Sequence, residues 1–62
     1  MNLRLRAARA LAGLTQRDLA QEVGKAEIDI SRYETGRATP DAATKQRIAE
    51  VLQRKTFELF DR

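Results

Sequence analysis

The three glycines fall at 13, 24 and 36, and each follows a short stretch whose apolar residues recur at helical spacing. Glycine directly after such a stretch is a common helix stop, so the punctuation confines this chain to short helices. A first helix is expected from an Asn2 cap to Gly13, with Leu5, Ala8 and Ala12 along one face. Thr15 caps a second, from Gln16 to Val23, that places Leu19 and Val23 one turn apart, with Gly24 as its stop. A third runs from about Glu27 to Thr35, with Ile30 and Tyr33 on one face and Gly36 after it. "ATPDAAT" is a turn from which Asp41 caps a fourth helix to about Leu52, turning Thr44, Ile48, Val51 and Leu52 inward. Thr56 is read as the cap of a last short turn, "FELF", with Phe57 and Phe60 as a core pair and a dimer contact as their second reading. No stretch alternates for a strand's length, so an all-α fold of five helices is expected.

With 62 residues this is one domain, 1–62, and it buries only about 60% of its unfolded surface. No cysteine or histidine is present, which removes disulfides, the usual zinc ligands and the commonest nucleophile–base pairs. Neither an enzyme nor a cofactor or metal protein is expected. No apolar run approaches a membrane span, and the N-terminus lacks an apolar block with a cleavage site, so a cytoplasmic protein is expected. The start at Met1 and the end soon after the fifth helix give the expectation of a whole natural protein.

The net charge of +3 is unevenly spread. Residues 1–13 carry three arginines and no acid, residues 14–36 three bases against five acids, and residues 37–62 six bases against four acids. A positive field therefore comes from the flanks rather than the middle. Across that middle, Ala20, Gly24, Ile30 and Tyr33 have the joint spacing of a helix-turn-helix. A small residue sits where the second helix crosses, a glycine four positions later makes the tight turn, and two apolar residues pin the second helix to the core.

With "LTQRDLAQEVG", "ISRYETGR", "TP" and "RIAEVL" at these intervals, residues 3–60 resemble the Cro/repressor-type (XRE-like) helix-turn-helix family. The resemblance implies a compact, lambda-repressor-like domain with its motif at about 16–35, in which the third helix enters the major groove of double-stranded DNA. It puts Glu27, Ile28 and Arg32 on the base-reading face. Gln16, Arg37 and Thr39 are implied as phosphate contacts, with Lys25 and Asp29 in the same flanking group. Arg9 and Glu34 are implied as a structural ion pair. Arg4 and Arg6 are left only long-range attraction.

Two departures from the family pattern stand out. Acids occupy positions 27 and 29, and Ala26 stands where a hydroxyl residue usually caps the third helix. Acids in a first turn offset the positive helix end, and Glu27 is also suited to accept a hydrogen bond from cytosine N4. In the fourth helix, Ala42 and Lys45 replace large aliphatics, which gives the expectation of a thin core leaning on a second subunit. The resemblance implies a transcriptional regulator, a repressor acting as a homodimer on an inverted-repeat operator. The alternative is a protein-interaction module or antitoxin subunit, with a toxin as partner, that keeps the scaffold and binds little or no DNA.

Overall fold

The computed structural model describes residues 1–61, in which five helices follow one another: α1 (Leu3–Leu11), α2 (Gln16–Val23), α3 (Glu27–Thr35), α4 (Ala42–Leu52) and α5 (Thr56–Phe60). No strand occurs among the described residues. Leu5, Leu19, Ile30 and Ile48, one each from α1 to α4, are fully buried and meet at the centre. Ala8, Ala20, Ala49, Leu52 and Leu59 complete that core, and Leu14, Val23, Tyr33, Val51 and Phe60 pack against it half-buried. The alanines matter because they let axes approach; Ala20 is buried where α2 meets α3, the most extensive helix contact in the molecule.

Side-chain caps define most helix starts. Thr15 Oγ1 accepts the Asp18 N–H at 3.0 Å while Asp18 Oδ2 accepts the Thr15 N–H at 2.9 Å, a reciprocal box at the head of α2. Asp41 Oδ1 accepts the Thr44 N–H at 2.8 Å at the head of α4. Gly24 closes α2 at φ 71°, a left-handed geometry that ordinary side chains disfavour. Gly36 does the same for α3 at φ 81°, and a β-carbon there would meet the Met1 nitrogen at 2.9 Å. The end of α4 has no glycine: Gln53 takes the left-handed conformation at φ 56°, at a cost of about 1–2 kcal/mol.

Asn2 ties together three helix ends. Its Oδ1 accepts the Leu5 N–H at 3.0 Å, its Nδ2 donates to the Leu59 carbonyl at 2.8 Å, and its backbone N–H donates to the Glu34 carbonyl at 2.7 Å. Asn2→Ala removes a cap worth about 1 kcal/mol and strands the Leu59 carbonyl as well, so a loss of about 2 kcal/mol is expected. Thermal unfolding should register it as a fall of about 8 °C or more.

Three expectations for the termini of elements are corrected. Ala12 lies beyond the end of α1 and is exposed, because the helix stops at Leu11 and its face turns away. Thr56 is already helical; the cap position belongs to Lys55, whose N–H donates to Glu58 Oε1 at 3.2 Å. Phe57 is 56% exposed, and the core position of α5 is filled by Leu59. Only one side of a helix as short as α5 can face the core, and the buried side is the one bearing Leu59. Phe60 remains half-buried, with the Lys45 ammonium 5.7 Å from its ring centre. Lys45 thus covers apolar surface with its stem where an aliphatic would otherwise pack.

Candidate nucleic-acid interface

Helix α3 is anchored from one side only. Ile30 is wholly buried, Glu34 is 3% exposed and Tyr33 is half-buried, whereas Glu27, Ile28 and Arg32 are exposed on the other side. Ile28 is the telling member: an isoleucine 54% exposed on a folded helix is apolar surface held out to solvent. Glu27 heads the helix, and Ile28 and Arg32 lie one turn apart. Ser31, half-buried, falls on the same side between them. It drew no attention in the sequence because a lone serine in a helix carries no spacing signal.

Asp29 has a different task from its neighbours. Its Oδ2 accepts the Ala26 N–H at 3.2 Å, which supplies one half of a capping box; alanine has no acceptor for the other half. The structure therefore gives Asp29 a place in the helix start, where an acceptor-only carboxylate offers nothing to a phosphate. Part of the acidity of this helix head is thereby explained by its missing N-cap side chain.

The flanking groups lie at the two ends of the motif. Arg37 and Thr39 are exposed in the loop after α3, where the N–H groups of Arg37 and Ala38 turn back to the Arg32 carbonyl at 2.9 and 3.3 Å. Pro40 is buried beneath that loop. Lys25 is exposed in the turn after α2, near enough to the head of α4 for its charge to act on Asp41. Gln16 begins α2 and is half-buried, because its Nε2 donates to Glu34 Oε1 at 3.1 Å.

Beneath Gln16 lies an ion pair between half-buried Arg9 and buried Glu34. Arg9 Nε reaches Glu34 Oε2 at 2.6 Å and Nη2 reaches Oε1 at 3.2 Å, while Nη1 donates to the Leu14 carbonyl at 2.7 Å. A single guanidinium thus fixes α1, the α1–α2 turn and the last turn of α3 to one another. The pair orients α1 against α3, and its two-point geometry suits arginine and not lysine.

Two carboxyls at helix heads are held below the ordinary value of 3.8. Asp18 is lowered first by the Thr15 backbone N–H and then by the Thr15 hydroxyl; Asp41 is lowered first by the Thr44 side chain and then by its N–H. A folded-state pKa below the unfolded one means that the native state binds fewer protons, so the stabilisation is present above the ordinary value and is lost as pH falls through the lowered values. Unfolding midpoints in urea should therefore drop as the pH is taken below 3.8. Asp41→Asn keeps a cap of equal quality and should remove its share of that dependence.

No helix among the described residues is long and apolar enough to cross a membrane, and no group of three potential metal-ligating side chains occurs among them.

A short helix, a tight glycine turn and a second helix anchored along one side and open along the other define a helix-turn-helix protein. Over residues 5–60 the sequence matches the model of a helix-turn-helix family, and the chain belongs to that Cro/C1-type family. The family is one of non-enzymatic DNA-binding proteins, and membership implies DNA binding and transcriptional regulation. No curated protein and no solved structure matches the chain.

Proposed function

We propose that residues 1–62 act as one sequence-specific reader of double-stranded DNA that represses transcription by occupying a promoter as a homodimer on an inverted repeat. The observation that carries this is the exposed side of α3, where Glu27, Ile28 and Arg32 stand clear of a helix otherwise locked by Ile30 and Glu34. In this role Arg32 donates to a base edge or phosphate, Ile28 packs on a thymine methyl and Glu27 accepts from cytosine N4. Gln16, Arg37, Thr39 and Lys25 hold the flanking phosphates. One such unit offers few contacts, and two-fold repetition at a spacing of about one helical turn multiplies them. DNA access places the protein in the cytoplasm.

Selection of bound duplexes from a random pool at near-physiological salt tests this. An enriched inverted repeat supports the proposal; a pool that stays random counts against it. On an enriched duplex, Arg37→Ala should reduce the slope of log affinity against log salt by about 0.9, one phosphate's worth. Gln16→Ala should cost about tenfold at every salt concentration with the slope kept, because an amide displaces no counterion.

A second reading, a protein-binding module with a toxin or other protein as partner, is favoured by one observation. The motif segment 14–36 carries five acids against three bases, and Asp18, Glu22 and Glu27 are all exposed. Failure of the pool selection together with capture of a basic partner on that surface would establish it.

A further inference from the structure

Between the head of α2 and the end of α3 lies a notch of about 210 Å³, whose lining includes Arg6, Arg9, Gln16, Glu34 and Thr35. Most of its polar groups are already engaged. Arg9 and Glu34 neutralise one another, and the Thr35 hydroxyl donates back to the Ser31 and Arg32 carbonyls at 3.0 and 3.3 Å. Gln16 gives an amide hydrogen to Glu34, but an amide nitrogen carries two. The second hydrogen is left over, on a carboxamide whose orientation Glu34 fixes. Arg6 is exposed and has no ion-pair partner among the described residues. With the buried pair cancelled, the notch, which Met1 also lines, holds the Arg6 guanidinium and an aimed amide donor.

We propose that Arg6 and Gln16 form a seat for one backbone phosphate of duplex DNA, with Arg6 supplying the charge and Gln16 a fixed hydrogen bond. The proposal rests on the DNA-binding function above and adds to it a residue from α1, outside the helix-turn-helix. Arg6 stands one turn before Arg9 on α1, so it shares the side of the helix that meets the motif. Arg4, two residues earlier, does not share it. Its Nη1 donates to the Asp61 carbonyl, and it lines a second groove, with Thr39, Leu59 and Phe60, that neither Gln16 nor Glu34 lines. Two arginines of equal charge on one short helix thus have different surroundings, and that difference provides the control.

Binding of a mixed-sequence duplex is measured between about 50 and 200 mM salt for the unmodified chain, Arg6→Gln, Arg6→Lys and Arg4→Gln. Arg6→Gln should lower the slope of log affinity against log salt by about 0.9, Arg6→Lys should keep most of it, and Arg4→Gln should lower it by clearly less than Arg6→Gln does. Melting temperature should not move for Arg6→Gln, because the side chain is exposed and unpaired. Equal slope changes in Arg4→Gln and Arg6→Gln overturn the seat and leave only long-range attraction. An unchanged slope in Arg6→Gln overturns it too, while binding by the unmodified chain leaves the DNA-reading function standing. Absence of any binding by the unmodified chain brings down both.

Discussion

Glu34→Ala is expected to lower the melting temperature by about 15 °C or more. The substitution leaves the Arg9 guanidinium, whose side chain is 14% exposed, without its carboxylate. Breaking a buried pair from one side costs about 3–5 kcal/mol, because a desolvated charge remains. A chain of 62 residues holds a total stability on the order of 3–9 kcal/mol, so the loss consumes from about a third of it to all of it. Replacing both partners by apolar residues, Arg9→Met with Glu34→Leu, should restore most of the stability, because no charge is then stranded. A loss under about 1 kcal/mol in the single variant would show that water reaches and solvates Arg9. Either variant also removes the acceptor that holds the Gln16 carboxamide, so the restored double variant should fold yet bind duplex less tightly.

The second large effect is a gain. Glu27→Lys should raise affinity for unrelated duplex about tenfold at near-physiological salt and steepen the salt dependence by about one phosphate equivalent. Glu27 is exposed at the head of α3 and has no ion-pair partner among the described residues, so reversing its sign disturbs no contact. The helix keeps its start because Asp29 still accepts the Ala26 N–H. The same variant should lose about 1–3 kcal/mol of discrimination at the base pair Glu27 faces, since a carboxylate in the groove penalises every base that offers no donor. Measured affinities for a selected and a random duplex supply both numbers. Unchanged binding to random duplex would mean that α3 does not approach DNA, and the protein-module reading would take precedence.

The caps and stops of this fold were legible because their chemistry is local. Asn2, Thr15 and Asp41 each satisfy an N–H three residues away, and Gly24 and Gly36 adopt conformations set by their own backbone. Sequence spacing is enough to see such features. Thr56 misled because a hydroxyl residue suits both the cap and the first helical position, and the choice fell to Lys55 through Glu58. Phe57 misled because an aromatic in a five-residue helix has no periodicity to reveal its side, and packing against the rest of the core took Leu59 instead. In the interface, the anchored side of α3 followed from the positions of Ile30 and Tyr33, and its outward side, with Glu27, Ile28 and Arg32, from the family resemblance. The contact between Gln16 and Glu34, 18 positions apart, did not, since no local pattern signals a bond between two separate helices. The different surroundings of Arg4 and Arg6 were hidden for the same reason: both read as surplus charge until their neighbours are known.

The Asn2–Leu59 bond also has a kinetic meaning. It joins positions 57 apart, nearly the full length of the described chain, a separation shared by the Arg4–Asp61 bond, so the contact closes a loop of almost the whole chain. Closing that loop before α2, α3 and α4 have assembled costs chain entropy that one hydrogen bond does not return. The five-residue α5 is far too short to persist alone. It is therefore expected to dock late in folding and to be the first element to come away when the native molecule fluctuates. Release of Leu59 withdraws a partner from the residue that caps α1 and holds the Glu34 carbonyl, so opening at α5 loosens the front of α1 and the tail of α3 together. Amide hydrogen exchange in this small protein should thus show the two chain ends opening as one unit while the centre stays closed.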